Sequence, residues 1–172
     1  MRYVLIAVGV VVALVVIVVV VGYALPVRHH VSRSARFSAA PPALFSTITD
    51  VEHFPTWRSD VKRVELVPNG SGPRQFREVG GNGSILYEID RREPDSLLVT
   101  RIADPSLPFG GTWTYQLSPG ADGTALRITE DGEVRNPIFR FVSRFVLGHT
   151  ATIDRYLTDL GRHLGATPTI VD

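Results

Sequence analysis

Hydrophobic and polar positions follow three different patterns along this chain. From Tyr3 to Leu25 there is no charged residue, and sixteen positions are Val, Leu or Ile. With no polar face to set against an apolar one, the predicted element is a helix that is apolar all round. At about 1.5 Å per residue it is roughly 35 Å long, enough to cross a hydrocarbon core of about 30 Å with some tilt. Val is a poor helix former in water. In lipid an unpaired backbone group costs several kcal/mol, which forces the helix, and each Val, Leu or Ile favours insertion by about 0.3–0.6 kcal/mol. The run is longer than the apolar core of roughly 7–15 residues in a signal peptide, and Gly22-Tyr23-Ala24 is only a loose cleavage signal. A retained membrane anchor over residues 3–25 is therefore expected.

Beyond Pro26 the pattern becomes alternating. Val31–Ala39 predicts a first strand. Pro41-Pro42 opens a short helix over Ala43–Thr49, and a second covers Val51 to about Phe54 with Asp50 as its N-cap. Strands follow at Lys62–Val67, Gln75–Val79, Ser84–Arg91, Ser96–Ala103, Thr112–Leu117 and Thr124–Glu130. The turns between them include Pro68-Asn69-Gly70, Gly80-Gly81-Asn82-Gly83, Pro119-Gly120 and Asp122-Gly123. Such short connections favour antiparallel pairing.

In the third regime apolar residues recur at three and four. Asn136 caps, Pro137 takes the first helical position, and Ile138, Val142, Phe145, His149, Ile153, Tyr156, Leu160 and Leu164 form one stripe. Gly148 marks a kink or a break into two helices. An antiparallel sheet needs a cover on its apolar face, and this stripe supplies it. The predicted division is an anchor and tether over 1–27, one domain over 28–166 and a tail over 167–172.

Charge and composition narrow the partners. Without Arg2, basic and acidic residues balance at seventeen each, so the domain has no electrostatic footprint for nucleic acid. The chain has no cysteine, which excludes disulfides, thiol catalysis and cysteine metal sites. No metal-binding motif, phosphate loop or nucleophile elbow is found, and no cofactor is expected. Arg28, Arg33 and Arg36 follow the apolar run and only Arg2 precedes it. The positive-inside rule then predicts a single-pass protein with a cytoplasmic domain.

The stretches "AAPPALFSTITDVEHFPTWRSDVKRVEL", with its D-x-x-x-x-P-x-W tail at Asp50–Trp57, and "GTWTYQLSPGADGTALRITEDGEV", followed by the closing helix, resemble the START-like (SRPBCC) superfamily. That superfamily contains polyketide cyclases, birch-pollen-allergen-like proteins and lipid-transfer domains. The resemblance covers about residues 31–165. It implies an α+β helix-grip of order β-α-α-β6-α, in which a curved antiparallel sheet wraps a long C-terminal helix and an apolar cavity lies between them. It implies binding of a hydrophobic small molecule such as a lipid, quinone or polyketide-like compound. A cyclase or dehydratase and a ligand-free interaction module remain the alternatives.

Within that frame the cavity candidates are Trp57, Tyr87, Trp113, Tyr115, Glu130, Phe141, Phe145 and His149. Trp113 and Tyr115 share a strand face with Leu117, and Tyr87 shares one with Ile85 and Ile89, as wall or as core filler. Trp57 closes the core beneath the short helices or reaches the cavity. Phe141 and Phe145 are a lid or ordinary core. His149 is a neutral core histidine or a general base. Glu130 has the parity of Leu126 and Ile128, so it is either a polar group aimed inward or the exposed end of its strand. A buried carboxylate needs a partner or a raised pKa.

Overall fold

The apolar run forms a single helix, α1 (Arg2–Ala24), in the computed structural model, which describes residues 1–81 and 83–172. Asn82, in the expected Gly80–Gly83 turn, lies outside the described residues. The side chains of α1 are exposed along almost its whole length. Only Leu25–Val27 separate it from β1 (Arg28–Phe37), which starts earlier than the alternation suggested.

The short helices follow as α2 (Pro41–Thr49), a 3₁₀ turn at Val51–His53 and α3 (Phe54–Trp57). Asp50 makes no capping hydrogen bond; its carboxylate pairs with His53 Nδ1 at 2.8 Å instead. All six expected strands then appear as β2 (Val61–Val67), β3 (Gln75–Gly80), β4 (Gly83–Glu93), β5 (Leu97–Ile102), β6 (Phe109–Gly120) and β7 (Gly123–Val134). A short β8 (Ile170–Val171) near the C-terminus pairs with Ala35 and Ser34 of β1. The sheet is antiparallel throughout, in the order β2-β3-β4-β5-β6-β7-β1-β8. Register shifts at Val61/Arg63 and Ile89/Arg91 bend it.

The concave face carries the core. Leu126 and Ile128 of β7 meet Ile153, Leu157 and Leu160 of the C-terminal helix, and α2 adds Leu44 and Ile48; all are fully buried. This is the helix-grip architecture expected from the resemblance.

The C-terminal stripe is divided. It forms α4 (Pro137–Val142), a π turn (Ser143–Leu147) and α5 (Ala151–His163), with Gly148 at φ 77°, a conformation that favours glycine. Asn136 Oδ1 caps α4, accepting from the amides of Ile138 and Phe139 at 2.9 and 3.1 Å. Past the break, the stripe residues Ile153, Tyr156 and Leu160 are buried. Ahead of it, Ile138, Phe139, Phe145 and Val146 are 45%, 50%, 60% and 69% exposed.

α4 rests on the end of α1. Gly22 has no room for a Cβ against the Pro137 carbonyl. Arg140, itself buried, donates to the Leu25 carbonyl at 2.8 Å and lies over the Tyr23 ring. A cation there satisfies and complements the unpaired carbonyls at a helix C-terminus. The Val134 amide also donates to the Val27 carbonyl at 2.8 Å.

Candidate ligand cavity and the cluster beside it

Between sheet and helices lies a cavity of about 70 Å³. Its apolar wall comes from α2, the turn after it and the start of α3 (Ile48, Val51, Phe54) and from strand side chains Phe76, Ile85, Tyr87, Leu98, Trp113 and Tyr115. At one end stand three charges, Arg58, Asp60 and Glu78. Strand alternation places Glu78 inward beside Phe76, both buried. The loop after α3 delivers Arg58 and Asp60. That loop is tied to α5, because the Ser59 amide and hydroxyl donate to the buried Asp159 carboxylate at 2.8 and 2.6 Å.

Arg58 donates through Nη1 to Glu78 at 2.7 Å, and through Nε and Nη2 to both oxygens of Asp60 at 3.2 and 3.0 Å. Its guanidinium also sits 5.0 Å from the Phe54 ring centroid and 5.3 Å from that of Tyr156, within cation–π range. Burial opposes the Arg58 charge, but Glu78 and Asp60 outweigh it and raise its pKa. Burial lifts Glu78 above the ordinary carboxylate range; Arg58 pulls it down and Asp60 pushes it up again. One cation therefore serves two carboxylates. Burial also raises the phenols of Tyr87, Tyr115 and Tyr156, so all three stay neutral. The Tyr156 hydroxyl is buried and has no hydrogen-bond partner among the described residues.

A second polar cluster lies where α4, the π turn and α5 meet the sheet. Glu130 sits within β7, not at its end, on the same inward face as Ile128. Its partner is His29 of β1, whose Nε2 donates to Glu130 Oε1 at 3.1 Å. The two are diagonal neighbours, since His29 is in register with Gly132. Gly132 has no side chain, and a Cβ there would occupy the place of the His29 ring. His30 points the other way and pairs with Asp131 near solvent. His149 stacks on His29 with centroids 4.3 Å apart, and its Nδ1 is hydrogen-bonded to Ser143 Oγ at 3.2 Å. Burial, then His29 and Arg144, hold the His149 pKa below its usual value. The cluster fastens the corner around Gly148 to the sheet.

Of the residues expected to face a ligand, Tyr87, Trp113 and Tyr115 come together on the cavity wall. Trp57 is packed behind it, edge-on to Phe54 and Tyr156 and stacked on His163. Glu130 and His149 belong to the histidine cluster. Phe141 and Phe145 pack on each other at 5.0 Å, with Phe145 largely exposed. Sequence reasoning passed over Arg58, Asp60 and Glu78. The alternation that singled out Glu130 applies equally to Glu78 beside Phe76; Arg58 and Asp60 lie in a loop without periodicity. Among the described residues, no group of three His, Asp or Glu side chains is placed to hold a metal ion.

A curved antiparallel sheet gripping a C-terminal helix over a small cavity defines a START-like ligand-binding or cyclase domain. Residues 28–165 match the family described as polyketide cyclase/dehydrase and lipid transport. The chain belongs to that family. Similar solved structures include a START superfamily protein from Mycobacterium smegmatis (18% identity, TM-score 0.65, covering 80% of this chain and 97% of that one). Others are the ZhuI aromatase/cyclase from Streptomyces sp. R1128 (15%, TM-score 0.62, 80% and 92%) and a norcoclaurine synthase mutant from Thalictrum flavum (8%, TM-score 0.62, 80% and 94%). At these identities the likeness shows the fold alone. No curated protein matches the chain in sequence.

Proposed function

We propose that this chain is a membrane-anchored binding domain for a small apolar molecule carrying one neutral hydroxyl or carbonyl group. The observation that carries this reading is the cavity itself, an aromatic and aliphatic wall closed at one end by Arg58, Asp60 and Glu78. Apolar sites with a few placed polar groups are the usual form of small-molecule sites. A hydroxyl accepts from the guanidinium and donates to a carboxylate. A free carboxylate would add a third anion beside a single buried cation, so an unesterified fatty acid is disfavoured. At about 70 Å³ the cavity is smaller than the roughly 300–1,000 Å³ of typical ligand pockets, so a larger ligand is admitted by displacement of the wall. The anchor is supported by the length and exposure of α1. The domain's cytoplasmic placement is supported by Arg28, Arg33 and Arg36 after it.

The full chain in nanodiscs of defined phosphatidylcholine, examined by native mass spectrometry and solvent extraction after expression in cells, tests this reading. A bound apolar species is expected in the wild type and absent from Leu98→Phe, which fills the cavity from β5, a strand that does not pair with the strand carrying Glu78. Equal extracts from both chains would remove the binding reading.

A second reading, a cyclase or dehydratase, is favoured by one observation. Glu78 is buried, with a raised pKa, in the cavity that Tyr87 and Tyr115 also line, and a carboxyl poised in this way suits general acid–base work. Under that reading Glu78→Gln retains the extracted species and leaves it chemically unconverted; an unchanged product would exclude it.

A further inference from the structure

We propose that α4 and the π turn form a second membrane contact, with Ile138, Phe139, Phe145 and Val146 seated at the headgroup–acyl boundary of the leaflet from which α1 emerges. This inference rests on reading α1 as a membrane anchor.

These four are the large exposed apolar side chains among the described ones of the segment. All four are exposed, Ile138 and Phe139 on α4 and Phe145 and Val146 on the π turn, with half-buried Val142 between the two pairs in sequence. Arg140, by contrast, is buried and bonded to the end of α1. The segment therefore has one arginine, Arg140, locked inward while its apolar side chains and Arg144 face outward.

The joint with α1 fixes what that face meets. Gly22 lies two residues from the end of α1, about 3 Å along the axis. Its contact with Pro137 sets the first turn of α4 at the depth where a spanning α1 would leave the hydrocarbon. Tyr23, beside the same joint, is of the type that gathers at membrane interfaces. Only Leu25–Val27 connect α1 to the sheet, and the Val27 carbonyl is already bonded to β7. The domain cannot swing away on so short a connection. A face held there is covered by lipid, in the manner of an amphipathic helix lying in the interface. The exposed Arg144 side chain has the length to bring its charge to the headgroups.

The chain has no cysteine, so single labels are easily placed. Val146→Cys, Thr158→Cys and Val12→Cys, each carrying an environment-sensitive fluorophore, are compared in full-length protein reconstituted in phosphatidylcholine–phosphatidylglycerol vesicles. Val12 probes the anchor, and Thr158 probes the exposed face of α5. The inference expects a blue-shifted label at 146, quenched most by lipids spin-labelled near the headgroup end of the acyl chain. The label at 12 is expected to be quenched most by lipids labelled near the chain terminus, and the label at 158 by neither. A label at 146 that behaves like that at 158, while 12 remains quenched, overturns the interfacial contact and leaves the anchor standing. A label at 146 that is blue-shifted yet unquenched indicates cover by protein, and also overturns it. If the label at 12 is unquenched, the anchor reading falls and this inference falls with it.

Discussion

α5 and the α4–π segment carry the same apolar spacing and treat it in opposite ways. In α5 the stripe is buried, with Ile153, Leu157 and Leu160 against Leu126 and Ile128 of the sheet. In α4 and the π turn, Ile138, Phe139, Phe145 and Val146 face outward. Periodicity identifies a face, but hydrophobic burial is non-directional and does not say what covers it. The sheet covers one half. The other half is turned from the sheet by the π turn and Gly148, and is held by Arg140 and Gly22 against α1.

Four substitutions sharpen or break this contrast, all read as unfolding of the full chain, the first three in nanodiscs and the last in detergent micelles. Leu160→Ala has the largest expected effect, a loss of about 2–5 kcal/mol, because it opens a cavity at a fully buried position. A loss within about 0.5 kcal/mol would mean that α5 is not the principal cover of the sheet. Gly22→Val comes next. A side chain there meets the Pro137 backbone, and overpacking of this kind costs about 1–3 kcal/mol. No change would show that α1 and α4 are not in fixed contact.

The third concerns the corner between the two halves. His149 has a lowered pKa in the folded protein, through burial first and then His29 and Arg144, with Glu130 opposing. Below about pH 6.5 the unfolded chain takes up a proton that the folded chain resists. Stability is therefore full above that pH and falls as the pH drops through it. In His149→Gln that part of the pH dependence is expected to disappear, and identical profiles for the two chains would refute the assignment. The smallest effect is predicted for Phe145→Ala, within about 0.5 kcal/mol in detergent micelles, since its side chain is largely exposed. A loss comparable to that of Leu160→Ala would place Phe145 in a core that the structure does not show.

The two polar clusters show the same divide. Alternation left Glu130 as either an inward group or the exposed end of its strand and Glu78 was passed over, although the same rule applies to both; in the structure both lie on the inward face. Only the fold shows that Glu130 is bonded to His29 beside a glycine gap, whereas Glu78 joins Arg58 in the cavity. Tyr87, Trp113 and Tyr115 were legible as inward residues, wall or core filler, because strand parity places each in a row with aliphatic neighbours. Arg58 and Asp60 were not, because a loop carries no period and its path is decided by Ser59 and Asp159.

By itself the sequence determined the length and apolar character of α1, the six strands between Val61 and Val134, the cap at Asn136 and the break near Gly148. Each of these is set by neighbours close along the chain, through backbone propensity and side-chain period. The tertiary structure alone decided which inward carboxylate faces the cavity, which half of the stripe is covered, and that Arg140 joins α4 to α1. Those outcomes depend on contacts such as Arg140 with Leu25 or Arg58 with Glu78, whose partners are distant in sequence and meet only once sheet and helices have closed on one another.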